Sequence, residues 1–112
     1  MARSDLVIAG YSETPVQFRS GRSAYDFAGE ALAGLLASTG IEKSAIDGLS
    51  VTTPLSESPN PLFSVYMCEA LGISPTWLNY GGIGGCSATG GVARAMSAIR
   101  DGYCEVAVVL SS

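Results

Sequence analysis

Apolar residues along this chain gather in short runs whose spacing switches between the strand period and the helix period. Leu6 to Ala9, LVIA, is an unbroken apolar run closed by Gly10, which predicts a buried strand. A polar stretch, SETPVQFRSGRS, follows as a loop. From Tyr25 the apolar positions Phe27, Ala28, Ala31, Leu32, Leu35 and Leu36 recur at steps of three and four, the mark of an amphipathic helix. Ser23 with Asp26 three residues on predicts a capping box at its start, with Asp in place of the usual Glu. Gly40 supplies a left-handed stop. After the turn IEKSAIDG, Leu49 to Thr52 carries β-branched Val51 and Thr52 and predicts a strand ending before Pro54.

The second half repeats the alternation. Pro59 and Pro61 flank a loop; Leu62, Phe63, Tyr66, Met67, Ala70 and Leu71 predict a helix stopped by Gly72. Trp77 to Tyr80 predicts a strand that runs through GGIGG, residues 81 to 85, into a third helix with a buried line of Val92, Ala95, Met96 and Ile99, ended by Gly102. Glu105 opens VAVVL, which is apolar at every position, as expected of a strand covered on both faces. Strands alternating with helices imply an α/β fold, a mostly parallel sheet with flanking helices. A strand buried on both faces belongs mid-sheet, so the sheet is expected to be incomplete.

Composition narrows the class. A length of 112 residues allows a single domain, 1–112. An apolar share of 47% against 14% charged excludes disorder, and a net charge of -4 without any basic cluster excludes nucleic acid and anionic membrane as partners. Cys68, Cys86 and Cys104 are odd in number and lack CxxC spacing, which fits neither a disulfide framework nor a zinc site, so no metal is expected. A reducing, cytoplasmic setting is the simplest. The first residues lack the long apolar core of a signal peptide, and Val106 to Leu110 falls far short of the ~20 residues that cross a bilayer. The absence of histidine removes the commonest general base and metal ligand.

One passage carries candidate chemistry: Asn79-Tyr-Gly-Gly-Ile-Gly-Gly-Cys-Ser-Ala-Thr-Gly-Gly, where a strand turns through glycines into a helix with Cys86 near its start. A helix N-terminus presents unpaired N–H groups and partial positive charge, both of which favour a thiolate. Gly84, Gly85 and Ser87 beside it would let a substrate approach the backbone and would supply N–H groups to an oxyanion. Against this, cysteine is commonly a buried packing residue, and Cys68, inside a helix, and Cys104, at the start of an apolar strand, are read that way. Gly82, Gly84 and Ser87 nearly meet a dinucleotide-binding fingerprint, but the next strand ends in Leu110-Ser111-Ser112 without the required acid, and no GK[ST] is present. Arg19 and Arg22 are expected on a solvated loop, and Asp26, four residues before Glu30, as a cap.

With these residues in view, two blocks resemble the thiolase superfamily. VIAGYSETPVQFRSGRSAYDFAGEALAGLLASTGIEKSAIDGL resembles its opening, a strand, a Thr-Pro loop, a helix ending at Gly, then Ile-Asp-Gly before the second strand. LNYGGIGGCSATGGVARAMSAIRDGYCEVAVV resembles the segment carrying the nucleophilic cysteine, most similar to the sterol-carrier, lipid-transfer branch. The resemblance implies an incomplete N-terminal half of a thiolase-like fold and an acyl-CoA acyltransferase acting on a coenzyme A thioester, with no bound cofactor. Cys86 is then the acyl acceptor; in the ungapped register the family's nucleophile position falls on Gly85, as in members of the branch that have lost the cysteine and do retro-aldol or unassigned work. It also implies a homo-oligomer, with the strand Trp77 to Tyr80 at the interface, or a complementary half, and a possible OB-fold, zinc-ribbon subunit. The family's histidines and second cysteine find no counterpart here, so the chain alone is expected to be inactive. The alternative from another class is a non-catalytic structural or assembly module.

Overall fold

Strands and helices alternate through the computed structural model, which describes residues 6–17, 20–54, 60–81 and 86–111. Helix α1, Ala24–Thr39, leads through a 3-10 turn, Lys43–Ala45, into strand β1, Gly48–Thr52. Helix α2, Phe63–Leu71, strand β2, Trp77–Gly81, helix α3, Ser87–Arg100, and strand β3, Ala107–Leu110, follow in order. Among the described residues the three strands form one all-parallel sheet in the order β2-β1-β3. This is a small α/β unit.

The capping predictions hold in detail. Ser23 Oγ accepts from Asp26 N at 3.1 Å while Asp26 Oδ2 accepts from Ser23 N at 3.0 Å, which satisfies two of the otherwise orphaned amides of the first turn. Gly40, at φ 73°, closes α1 by donating to Leu36 O. Asp26 is thus a cap, and Arg22 is a structural cation: it pairs with Glu30 at 2.8 Å and lies over the Phe27 ring. Arg19 lies outside the described residues.

Alternation along β1 divides the core between the two faces of the sheet. Leu49 and Val51 point to one face, where they meet Phe63, Met67 and Leu71 of α2, Leu32 of α1 and Val108 of β3. Leu49 and Phe63 are fully buried, and the Phe63 ring packs against that of Tyr25 at 5.4 Å between centroids. Ser50 and Thr52 point to the other face, under α3. A β-carbon on Gly91 of α3 would lie 2.7 Å from Ser50 Oγ, so the helix sits close on the sheet where only glycine fits.

Three predictions are corrected. Leu6 to Ala9 is not a strand, and Val7 and Ile8 are 80% and 82% exposed; both sides of the central β1 are taken by β2 and β3, and the run pairs with neither edge strand. Among the described strands β3 stands at an edge, where only Val108 is buried, and the all-buried central strand is β1, whose polar Ser50 and Thr52 hide that status in the sequence. On α3 the buried line is Ser87, Gly91, Ala95 and Ala98, with Met96 40% exposed, because close approach to Ser50 and Val109 selects small residues rather than large apolar ones.

Candidate functional site

The carboxyl ends of parallel strands are where open α/β sheets bind ligands, since helix N-termini and loops converge there. In this chain that end carries Thr52 and Thr53 after β1, Ser111 after β3, and the start of α3. Thr52 Oγ1 lies 3.5 Å from Ser111 Oγ, and Thr53 N donates to Gly81 O at 3.3 Å, holding the exits of β1 and β2 together. Thr53 Oγ1 is a buried hydroxyl without a hydrogen-bond partner among the described residues.

Cys86 stands at the N-cap of α3, with φ -89° and ψ 1°, and its side chain is exposed and makes no capping hydrogen bond to the helix. Ser87, the first helical residue, is buried at 8% exposure beneath it. Gly84 and Gly85, expected as the substrate-approach positions, and Gly85 as the alternative nucleophile position, lie outside the described residues. So do Gly82 and Ile83 of the same turn. The other two cysteines are packing residues. Burial raises the Cys68 thiol above its ordinary pKa despite a backbone hydrogen bond that lowers it. Burial raises Cys104 too, and the nearby Asp47 charge adds to the effect. The three cysteines form no disulfide with one another.

Two polar clusters whose roles the sequence analysis did not assign organise the sheet below this end. The first is Asp47. Its carboxylate accepts from Glu105 N at 2.9 and 3.0 Å and from Val106 N at 2.8 Å, and its carbonyl accepts from Thr76 N, Trp77 N and Thr76 Oγ1. One residue therefore ties the entry of β1 to the entries of β2 and β3. An acidic residue immediately before a strand, in Ile46-Asp47-Gly48, was the available signal. The second is a relay from surface to core: Arg94 Nη1 donates to Asn79 Oδ1 at 3.3 Å, and Asn79 Nδ2 donates to Ser50 Oγ at 2.9 Å. It fixes β2 against β1 under α3. An open groove of about 360 Å³ beside it is lined by Trp77, Asn79, Arg94, Ser97 and Tyr103 among others.

Among the described residues no group of three or more His, Cys, Asp or Glu side chains is placed to hold a metal ion. No described helix is long and apolar enough to cross a membrane.

No family model matches the chain, and no curated protein matches it. It is similar to a solved structure, the Ltp2-ChsH2(DUF35) aldolase, at 32% sequence identity and a TM-score of 0.74, over 90% of this chain and 25% of that one. The chain thus spans about a quarter of the length of the solved chain that it matches. This finding corrects the assignment drawn from resemblance. The matched structure is an aldolase, so a thiolase superfamily acyl-CoA acyltransferase of the lipid-transfer branch is not the identity that the comparison supports. The physical reason is that a glycine turn entering a helix serves several chemistries equally well: it specifies close backbone approach, not which bond is made or broken.

Proposed function

We propose that this chain is a non-catalytic assembly module, related to a subunit of an aldolase complex of the Ltp2-ChsH2(DUF35) kind. The observation that carries the reading is the asymmetry of the match: nearly all of this chain corresponds to only a quarter of the other. Residues 1–112 then form one partial unit. Two further features support it. The sequence contains no histidine, so the commonest group for moving protons near neutral pH is missing. Among the described residues the sheet has three strands and leaves β2 at an edge, with Leu78 and Tyr80 38% and 43% exposed.

Assembly runs through β2. An unpaired edge strand with uncovered apolar side chains is a template for another chain. On the opposite face of the same strand, the groove by Trp77 continues to Tyr103, 65% exposed, so both faces of the edge offer contact area. A second copy related by a two-fold axis would pair β2 with β2 and give a six-stranded sheet.

Light scattering on the eluting protein tests this. A dimer or larger species is expected at micromolar concentration, reverting to monomer in the double variant Leu78→Lys, Tyr80→Lys, with circular dichroism checking that the variant keeps its fold. Wild-type protein that stays monomeric alone, and in the presence of an OB-fold, zinc-ribbon chain of the aldolase-partner type, would refute the module reading. Aldol cleavage by the chain alone would refute its non-catalytic part.

A further inference from the structure

The outer edge of β2 carries a hydrogen-bonding pattern that is symmetric about its middle residue. Trp77 N donates to Asp47 O and Gly81 O accepts from Thr53 N, in the register Gly48↔Trp77 and Thr52↔Gly81. Trp77, Asn79 and Gly81 therefore turn their backbone groups toward β1, and Leu78 and Tyr80 between them turn theirs outward, where no described strand pairs with them. The outward N–H and C=O groups of these two residues stand evenly on either side of Asn79.

Within β2, an antiparallel copy satisfies all of them in one register. With Asn79 opposite its counterpart, Leu78 of each chain faces Tyr80 of the other, and each such pair exchanges two hydrogen bonds. Centring the contact on Leu78 instead sets Tyr80 against Thr76, whose N–H is already spent on Asp47 O. Centring it on Tyr80 carries Leu78 past Gly81, where the strand ends.

The side chains agree with the same register. On one face exposed Leu78 and Tyr80 cover each other as two aliphatic–aromatic pairs. On the other face Trp77 comes opposite Gly81, where a β-carbon would meet nothing within 4 Å, so the indole has room. Asn79 falls on the axis. Its Oδ1 accepts from Arg94 and its Nδ2 donates to Ser50, which leaves each carboxamide a second lone pair and a second amide proton for its counterpart.

We propose that Asn79 is the specificity-determining residue of the β2 contact: it lies on the two-fold axis, its carboxamide pairs with that of a second copy, and it holds Leu78 against Tyr80 in a single register. This pairing rests on the assembly proposed above and deepens it, because an edge matched to itself selects a second copy over a strand of different sequence.

Cysteine cross-linking of the full chain in a Cys86→Ser background tests the register. Protein carrying Leu78→Cys is mixed with protein carrying Tyr80→Cys under mild oxidation, circular dichroism checks the fold of each, and covalent dimers are read by mass. Opposed residues lie about 5.5 Å apart between Cα atoms, within a disulfide's reach, whereas like residues stand two steps out of line, about 7 Å further along the strand. The mixed dimer is expected at about tenfold or more over either like-with-like dimer. Adding Asn79→Ala to both proteins is expected to lower that ratio about threefold or more, and Asn79→Asp, which keeps the acceptor for Arg94 but puts two like charges on the axis, is expected to lower the mixed yield by as much. Like-with-like dimers equal to the mixed one overturn the register, and an unchanged ratio in both Asn79 variants overturns the role of Asn79. Wild-type protein that scatters light as a monomer overturns the assembly reading together with this one, so the two failures are told apart.

Discussion

Replacing Gly91 with alanine sets two effects of known sign against each other. Gly91 lies in the interior of α3, where alanine is favoured over glycine by about 0.8–1.0 kcal/mol. The added methyl carbon, however, lies 2.7 Å from Ser50 Oγ and 3.1 Å from Val109 Cγ1. Ser50 is 3% exposed on the central strand, and its Oγ is held by Asn79 Nδ2 at 2.9 Å, so it can make room only by giving up that bond. Overpacking of this kind costs about 1–3 kcal/mol. The lost hydrogen bond costs about 1 kcal/mol more. The clash wins, and Gly91→Ala is expected to destabilise by about 1–3 kcal/mol net.

The neighbouring residue supplies the control. A β-carbon on Gly90 meets nothing within 4 Å, so Gly90→Ala gains the helix term alone and stabilises by up to about 1 kcal/mol. Urea unfolding followed by the fluorescence of Trp77, the single tryptophan, measures both variants. In a Ser50→Ala background the oxygen that obstructs residue 91 is gone, and the cost of Gly91→Ala is expected to fall by about 1 kcal/mol or more. If Gly91→Ala stabilises the protein as much as Gly90→Ala does, α3 does not sit on Ser50 at this distance and the account of the sheet's second face is wrong.

Three further outcomes follow from the same packing. Asp47→Ala leaves Glu105 N and part-buried Val106 N without their acceptor, and is expected to cost about 2–3 kcal/mol in urea, with Asp47→Asn costing less because one acceptor oxygen remains. Ser23→Ala removes half of a reciprocal cap and is expected to cost about 1 kcal/mol in urea, with faster amide hydrogen exchange confined to the onset of α1. Cys68 and Cys104 have thiol pKa values raised by burial, so the folded state holds their protons more tightly than the unfolded chain does. That contribution is complete below the ordinary thiol range and is lost as pH rises through the folded values. The urea midpoint should therefore fall on going from neutral pH into the alkaline range, and fall less in Cys104→Ala; an equal fall in both would refute the Cys104 part. Iodoacetamide at neutral pH should meanwhile label exposed Cys86 before the other two.

Local signals carried most of the elements. α1 was legible at both ends because Ser23, Asp26 and Gly40 act within a turn of where they sit, and the same holds for the Gly72 stop of α2 at φ 72°. What failed was anything set by partners distant in the chain. VAVVL reads as a central strand because apolar character reports an affinity for burial, not whether a neighbour exists to provide it. GLSVT reads as half-polar although it is the best-covered strand, since Ser50 and Thr52 are buried by hydrogen bonding and by a glycine on α3 rather than by apolar packing. The candidate site was legible only as a helix start bearing Cys86. Asp47 and Asn79, which order the sheet around it, act through residues 29 to 59 positions away.

The two ends of the sheet divide the work of this fold. At the entry end, Asp47 uses its carboxylate and its carbonyl in fastening three strands. At the exit end a buried Thr53 hydroxyl lacks a partner among the described residues, and the Cys86 side chain is exposed at the start of α3. Ligand chemistry in a parallel sheet belongs at that exit end. Yet the groups gathered there are hydroxyls and a thiol, and the chain has no imidazole to move a proton between them and a substrate. The assembly proposed above supposes a second polypeptide at the β2 edge. Docking through the exposed β2 edge would bring such polypeptide to the same corner, because β2 runs out at Gly81, directly beside the exit of β1. Blocking the edge with Leu78→Lys and Tyr80→Lys is then expected to lower any activity of a reconstituted complex in proportion to the loss of association.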